Sequence, residues 1–117
     1  MNTHVSFETS KLLKEKWVEQ KTKSYTEDGK LVTVSLTIRR FNPEKIYYPA
    51  PTIAEVVMWL YEKYGIWIYP FRHDFNNQFY WHIDTAHEDE FTSDNVFNSP
   101  TAAYEAAVEY TLKNLIK

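Results

Sequence analysis

Apolar positions along this chain switch between two spacings, and the switches mark out its elements. From Leu31 to Arg39 apolar and polar residues alternate over nine positions, with Val32, Val34, Leu36 and Ile38 on one side and Leu31, Thr33, Ser35, Thr37 and Arg39 on the other. A period of two is the pattern of a strand with one solvated face. Asp28-Gly29 just ahead of it is a tight hairpin signal. Residues Lys21 to Arg40 therefore read as a hairpin in which Glu27 pairs with Lys30 and Tyr25 lies opposite Val32.

Helical spacing governs three other stretches. Ser6 to Val18 reads as a short first helix, capped by Ser6, with Glu8 in its first turn, Phe7, Leu13 and Trp17 inward beside Leu12, and Lys11, Lys14 and Lys16 outward. Thr52-Ile-Ala-Glu55 has the capping-box pattern, and Ile53, Val56, Val57, Leu60 and Tyr64 share one face before Gly65 ends the second helix. Ser99-Pro100 opens a third, which runs to the C-terminus with Tyr104, Ala107, Val108, Thr111, Leu112 and Leu115 inward and Glu109/Lys113 as an outward pair. Between these, Phe41 to Pro51 carries three prolines in nine residues and reads as a connection with a short edge strand at Lys45–Tyr48. Ile66–His73 and Gln78–Thr85 read as strands joined across Asp74 to Asn77, and Ala86 to Asn98 as an acidic loop. The predicted order is α-ββ-α-ββ-α, an α+β fold of antiparallel sheet with helices packed on one face.

The second hairpin lies inside an aromatic block, since ten of the 23 residues from Trp59 to Trp81 are Trp, Tyr or Phe. Alternation sorts it. Ile66, Ile68, Phe79, Trp81 and Ile83 form the face on which a helix packs, and Trp67, Tyr69, Phe71, Tyr80, His82 and Asp84 form the other. Either a four-residue loop or a two-residue turn at Asn76-Asn77 gives this matching, because the two registers differ by an even step. The second face combines large rings with polar tips, a composition enriched at interfaces. Either another helix covers it, or it is exposed and asks for a partner. Trp67, Tyr69, Phe71, Tyr80 and His82 are the candidate partner-binding residues, with Trp59 as an outlying member on the Glu55/Lys63 side of its helix.

Composition narrows the chemistry. The chain has 117 residues, 44% of them apolar, which suits one domain spanning 1–117 with one core built largely from rings. Absence of cysteine excludes disulfides, thiolate metal sites and a cysteine nucleophile, and is compatible with a reducing, cytoplasmic setting. No apolar run is long enough to cross a bilayer, so no membrane partner is expected. Serine-nucleophile motifs, phosphate-binding glycine loops and dinucleotide fingerprints are missing, and the acidic residues of the 84–90 stretch suggest no cleft. An enzyme is not expected. His82-x-Asp84, with His73 and His87-Glu-Asp-Glu90, offers metal ligands on paper but in no recognised spacing, so neither metal nor cofactor is expected.

The net charge of −3 divides unevenly, with nine Lys/Arg against six Asp/Glu in residues 1–50 and four against ten in residues 51–117. Lys21, Lys23, Lys30, Arg39, Arg40 and Lys45 gather around the first hairpin. Together with exposed rings they supply the second reading, a nucleic-acid-binding domain. It ranks behind a protein partner or a homodimer, because the richest aromatic surface lies in the acidic half.

Two segments carry a resemblance. Pro51-Thr-Ile-Ala-Glu-Val-Val-Met-Trp-Leu-Tyr-Glu-Lys-Tyr-Gly-Ile-Trp-Ile68, and Asn98-Ser-Pro-Thr-Ala-Ala-Tyr-Glu-Ala-Ala107 with the helix that follows, resemble a family of small uncharacterised proteins encoded by bacteriophages and integrated mobile elements. The likeness covers roughly residues 50–117 and extends more faintly to the first helix. It implies an intracellular setting in a phage-carrying bacterium and an accessory role by binding. The family has no assigned activity, so no functional residue is carried over.

Overall fold

The computed structural model describes residues 3–14, 16, 23–32, 47–72 and 77–116. They form α1 (Phe7–Leu13), β1 (Lys23–Tyr25), β2 (Leu31–Val32), β3 (Tyr48–Ala50), α2 (Ile53–Tyr64), β4 (Trp67–Arg72), β5 (Phe79–Asp84), β6 (Glu90–Thr92) and α3 (Pro100–Asn114). The fold is α+β, and the order α-ββ-α-ββ-α holds with a third strand added to each hairpin. The strands make two antiparallel sheets of three, ordered β2-β1-β3 and β4-β5-β6. The chain groups into two compact units, residues 4–51 and residues 1–3 with 52–117. Among the described residues no helix is long and apolar enough to cross a membrane.

In the unit of residues 4–51, the Ser6 hydroxyl accepts the Thr9 N–H at 3.2 Å and starts α1 as the cap expected of it. The helix is shorter than predicted. Leu13 is buried, while Phe7 and Leu12 are half-buried, Lys16 is half-buried rather than solvated, and Trp17 lies outside the described residues. α1 packs on β3. Phe7 sets its ring 5.6 Å from Tyr25 and 5.5 Å from Tyr48, and the Ser10 hydroxyl donates to the Pro49 carbonyl. The edge strand is described as Tyr48–Ala50; of the expected Lys45–Tyr48, Lys45 and Ile46 lie outside the described residues. Pro49 is tolerated there because an edge strand has one unpaired side.

The register of the first hairpin differs by one residue from expectation. Gly29 takes a left-handed φ of 84°, its N–H donates to the Thr26 carbonyl at 2.9 Å, and the Thr26 N–H donates to the Lys30 carbonyl at 2.9 Å. The loop is therefore Glu27-Asp28-Gly29, a type I turn closed by a left-handed residue, rather than a two-residue turn at Asp28-Gly29. Tyr25 consequently pairs with Leu31, and buried Ser24 with Val32. Val34, Leu36 and Ile38 lie outside the described residues.

In the unit of residues 1–3 and 52–117, α2 shows the full capping box: the Thr52 hydroxyl accepts the Glu55 N–H at 3.2 Å and the Glu55 carboxylate accepts the Thr52 N–H at 3.0 Å. Gly65 ends it with a φ of 68°. Ile53, Val56, Val57 and Leu60 are buried as expected, and Tyr64 is half-buried. α3 opens at Ser99-Pro100, with the Ala102 N–H donating to the Ser99 hydroxyl at 3.1 Å. It buries Ala103, Ala107, Val108, Thr111 and Leu112 against β4, β5 and α2, and the Thr111 hydroxyl is satisfied by the Ala107 carbonyl at 2.8 Å. Tyr104 and Leu115, expected inward, are half-buried.

The acidic loop contains a strand. Its turn repeats the first hairpin's: the Thr85 N–H donates to the Asp89 carbonyl at 2.9 Å, the Glu88 N–H to the Thr85 carbonyl at 3.2 Å, and Glu88 holds the left-handed position with a φ of 66°. Each turn begins on a threonine whose hydroxyl accepts the N–H four residues on, from Lys30 at 3.1 Å and from Asp89 at 3.2 Å. β6 then pairs with β5 through His82↔Thr92, Ile83↔Phe91 and Asp84↔Glu90. At Ser93 the chain bulges. The Ser93 hydroxyl, rather than a carbonyl, accepts the Trp81 N–H at 3.1 Å, and pairing resumes where Phe79 and Phe97 exchange two hydrogen bonds of 2.8 Å.

Two substitutions test these features by chemical denaturation. Ser93→Ala leaves the Trp81 N–H buried without its acceptor and is expected to cost about 1–3 kcal/mol. Glu88→Gly relieves a left-handed position and is expected to gain about 0.5–1 kcal/mol. Equal stability of Glu88→Gly and wild type would contradict the turn.

Candidate partner-binding face

The site is built on the β4–β5 ladder. Its register is Trp67↔Asp84, Ile68↔Ile83, Tyr69↔His82, Pro70↔Trp81, Phe71↔Tyr80 and Arg72↔Phe79. This is the register of the expected four-residue loop, and it places Trp67, Tyr69, Phe71, Tyr80, His82 and Asp84 together on one face. Ile66, Ile68, Trp81 and Ile83 are buried on the other. There the Tyr110 ring of α3 lies 5.0 Å from Trp81 and 5.9 Å from Phe91 of β6. α3 thus packs on the Ile68/Trp81 side, while Trp67 and Phe71 on the opposite face remain exposed.

The face is an ordered row of rings. Phe71 stacks on Tyr80 with centroids 5.3 Å apart, Tyr69 lies 5.1 Å from His82, and Phe71 meets His82 edge-on at 6.5 Å. Trp67 is 40% and Phe71 38% exposed, while Tyr69, Tyr80 and His82 are half-buried. Tyr61, at 51% exposure, extends the row from the last turn of α2 by meeting Trp67 edge-on at 5.2 Å. Sequence reasoning missed it, although its position outside the apolar stripe of α2 was the available signal. Trp59 packs on Tyr64 at 5.4 Å with Lys63 over both rings.

One end of the row is polar. The His82 ring is held at both nitrogens, Nδ1 2.9 Å from Thr92 Oγ1 and Nε2 2.8 Å from Asp84 Oδ1. Glu90 stands directly across from Asp84, and the ligand atoms of His82, Asp84 and Glu90 all lie within 4.8 Å of one another. These three could hold a metal. His73 lies outside the described residues, and of His87-Glu-Asp-Glu90 only Glu90 joins the group. Thr92 was not anticipated, because β6 was read as loop. Partial burial, and then the negative charges of Asp84 and Glu90, push the Tyr69 hydroxyl above the usual tyrosine range.

The remaining candidates are not brought together. Lys23 and Lys30 are exposed in the unit of residues 4–51, and Lys21, Arg39, Arg40 and Lys45 lie outside the described residues. A cavity of about 310 Å³ beside the β5–β6 turn is lined by Tyr64, Ile66, Phe91, Leu115, His87 and Asp89 among others, with no predicted site residue in its wall.

No family model, curated protein or solved structure matches this chain.

Tyr69 is expected to ionise above the ordinary tyrosine range in an alkaline ultraviolet titration, in a step missing from Tyr69→Phe and moved to lower pH by Glu90→Gln. The native state holds this proton longer than the unfolded chain. The associated stability is therefore full below the ordinary tyrosine range and is lost as pH rises through the elevated value. A titration that Tyr69→Phe leaves unaltered above that range would refute the assignment.

Proposed function

We propose that the chain is a small accessory protein that works by binding rather than by catalysis, and that its aromatic face closes on the same face of a second copy. The observation that carries this reading is the partial exposure of Trp67 and Phe71, beside Tyr69 and Tyr80, on the sheet face opposite the one on which α3 packs. Rings of this kind each offer roughly 150–250 Å² of contact surface. Contiguous apolar surface of several such rings marks an interaction site more often than a solvated face. The likeness of residues 51–68 and 98–107 to phage-encoded accessory proteins agrees with such a role.

Two modes of self-contact are open to a small sheet, edge extension and face packing, and the sequence of β4 favours the second. β4 is an edge strand, and Pro70 in its middle has no N–H to offer a further strand. Closed self-association takes two-fold symmetry. A two-fold axis lying across the strands sets the Asp84/Glu90 end of one copy over the Phe71/Tyr80 end of the other, and keeps the four carboxylates apart. The same carboxylates weigh against a phosphate backbone on this face.

The test is sedimentation velocity over a range of concentrations. Wild type is expected to dimerise, and Phe71→Ala or Tyr80→Ala to weaken the dimer about tenfold or more, about 1.4 kcal/mol, with an unchanged circular dichroism spectrum. A wild type that stays monomeric at its highest soluble concentration would end this reading. Salt-sensitive binding of an oligonucleotide would point instead to the nucleic-acid alternative.

A further inference from the structure

We propose that His82, Asp84 and Glu90 form a site for a divalent metal cation, zinc bound more tightly than manganese, at the β5–β6 end of the aromatic face. The inference stands whether or not the face self-associates.

The three side chains come from two alternate rungs of one ladder, on either side of the Ile83↔Phe91 rung. Asp84 and Glu90 are directly opposed, and His82 lies two residues before Asp84 on the same face, opposite Thr92. Like charges directly across a ladder oppose pairing. Among the described residues no Lys or Arg forms an ion pair with either carboxylate; the salt bridge recorded there is His82 to Asp84. A cation between them converts a repulsive rung into an attractive one.

The imidazole is oriented for the role. Its side chain is only 16% exposed, packed beside Tyr69 at 5.1 Å, and Thr92 Oγ1 engages Nδ1 at 2.9 Å. In a metal-bound histidine one ring nitrogen donates to an oxygen and the other binds the ion, and Thr92 Oγ1 stands where that oxygen is needed. Nε2 is the nitrogen aimed at the carboxylates. Its 2.8 Å separation from Asp84 Oδ1 is a hydrogen bond, and a tetrahedral ion with bonds of about 2.0–2.2 Å needs these two atoms about 3.3–3.6 Å apart. A small opening of this pair admits the ion, and the exposed Glu90 side chain closes on it by rotation. The ion takes the neutral ring at Nε2, so the ring's one proton resides on Nδ1 and is donated to Thr92, and the hydrogen bond from Nε2 to Asp84 is replaced by the two bonds to the ion. One nitrogen and two carboxylates favour zinc over manganese, and both over magnesium and calcium, which prefer oxygen alone.

The experiment titrates the full-length protein with zinc chloride or manganese chloride and follows the histidine ring nitrogens by NMR. One equivalent of zinc is expected to shift His82 Nε2 while His4 and His87 stay put, and manganese to broaden His82 first. Glu90→Gln and Asp84→Asn should each weaken zinc at least tenfold in calorimetry. Glu90→Gln also serves as a folding control, because removing one of two opposed charges should leave the metal-free melting temperature equal or higher while abolishing most of the rise that zinc produces. Zinc shifts spread evenly over all histidines, or an affinity unchanged in both variants, would overturn the site.

Discussion

The register of β4 against β5 is the constraint on which the candidate site depends. Side chains alternate across a strand, so a slip of one residue would turn one strand's outward set onto the core face of the other. Ile68 and Ile83 are paired and fully buried, and a slip that turned β5 over would trade Ile83 for Asp84 or His82. Burying the isoleucine contributes roughly 1.5–3 kcal/mol, and the slipped strand would have to bury a carboxylate or an imidazole in its place. The aromatic row is thus a by-product of a strongly fixed core: once Ile68, Trp81 and Ile83 are committed to the helices, Trp67, Phe71 and Tyr80 have no alternative but the opposite side.

This explains which parts of the molecule were legible in the sequence. The β4–β5 faces follow from parity alone, and parity survives any even uncertainty in the loop. Thr52, Glu55, Gly65, Ser99 and Pro100 are local signals whose chemistry is completed within one helical turn, and each does what its residue type implies. The first hairpin shows where locality fails. Asp28-Gly29 was rightly seen as a turn, but whether glycine closes a two-residue or a three-residue loop is decided by the strands around it, and the choice moves every partner by one.

β6 was missed for a related reason. Its turn is built like that of Thr26 to Lys30, down to the threonine hydroxyl, yet the left-handed position is held by Glu88 and carries no glycine to announce it. The strand itself is three residues long, too short for alternation to stand out. The misread loop hid half of the polar end of the site. Glu90 and Thr92 reach Asp84 and His82 only because β6 returns antiparallel, so sequence reasoning held the ligand types without the ladder that assembles them.

The two proposals meet at that polar end. Packing the aromatic face against any partner removes Asp84 and Glu90 from water, and uncompensated carboxylates pay a large desolvation penalty. Phe71 and Tyr80 at the far end favour the contact, while the acidic rung opposes it, so the face as it stands carries its own restraint. A divalent cation held by His82, Asp84 and Glu90 cancels both negative charges where they would be buried. If association buries the occupied site more favourably than the empty one, then linkage requires the converse, and the associated form binds the cation more tightly by the same factor. On these two proposals, the aromatic row would supply contact area and the charge state of one rung of the β5–β6 ladder would modulate how tightly it is used.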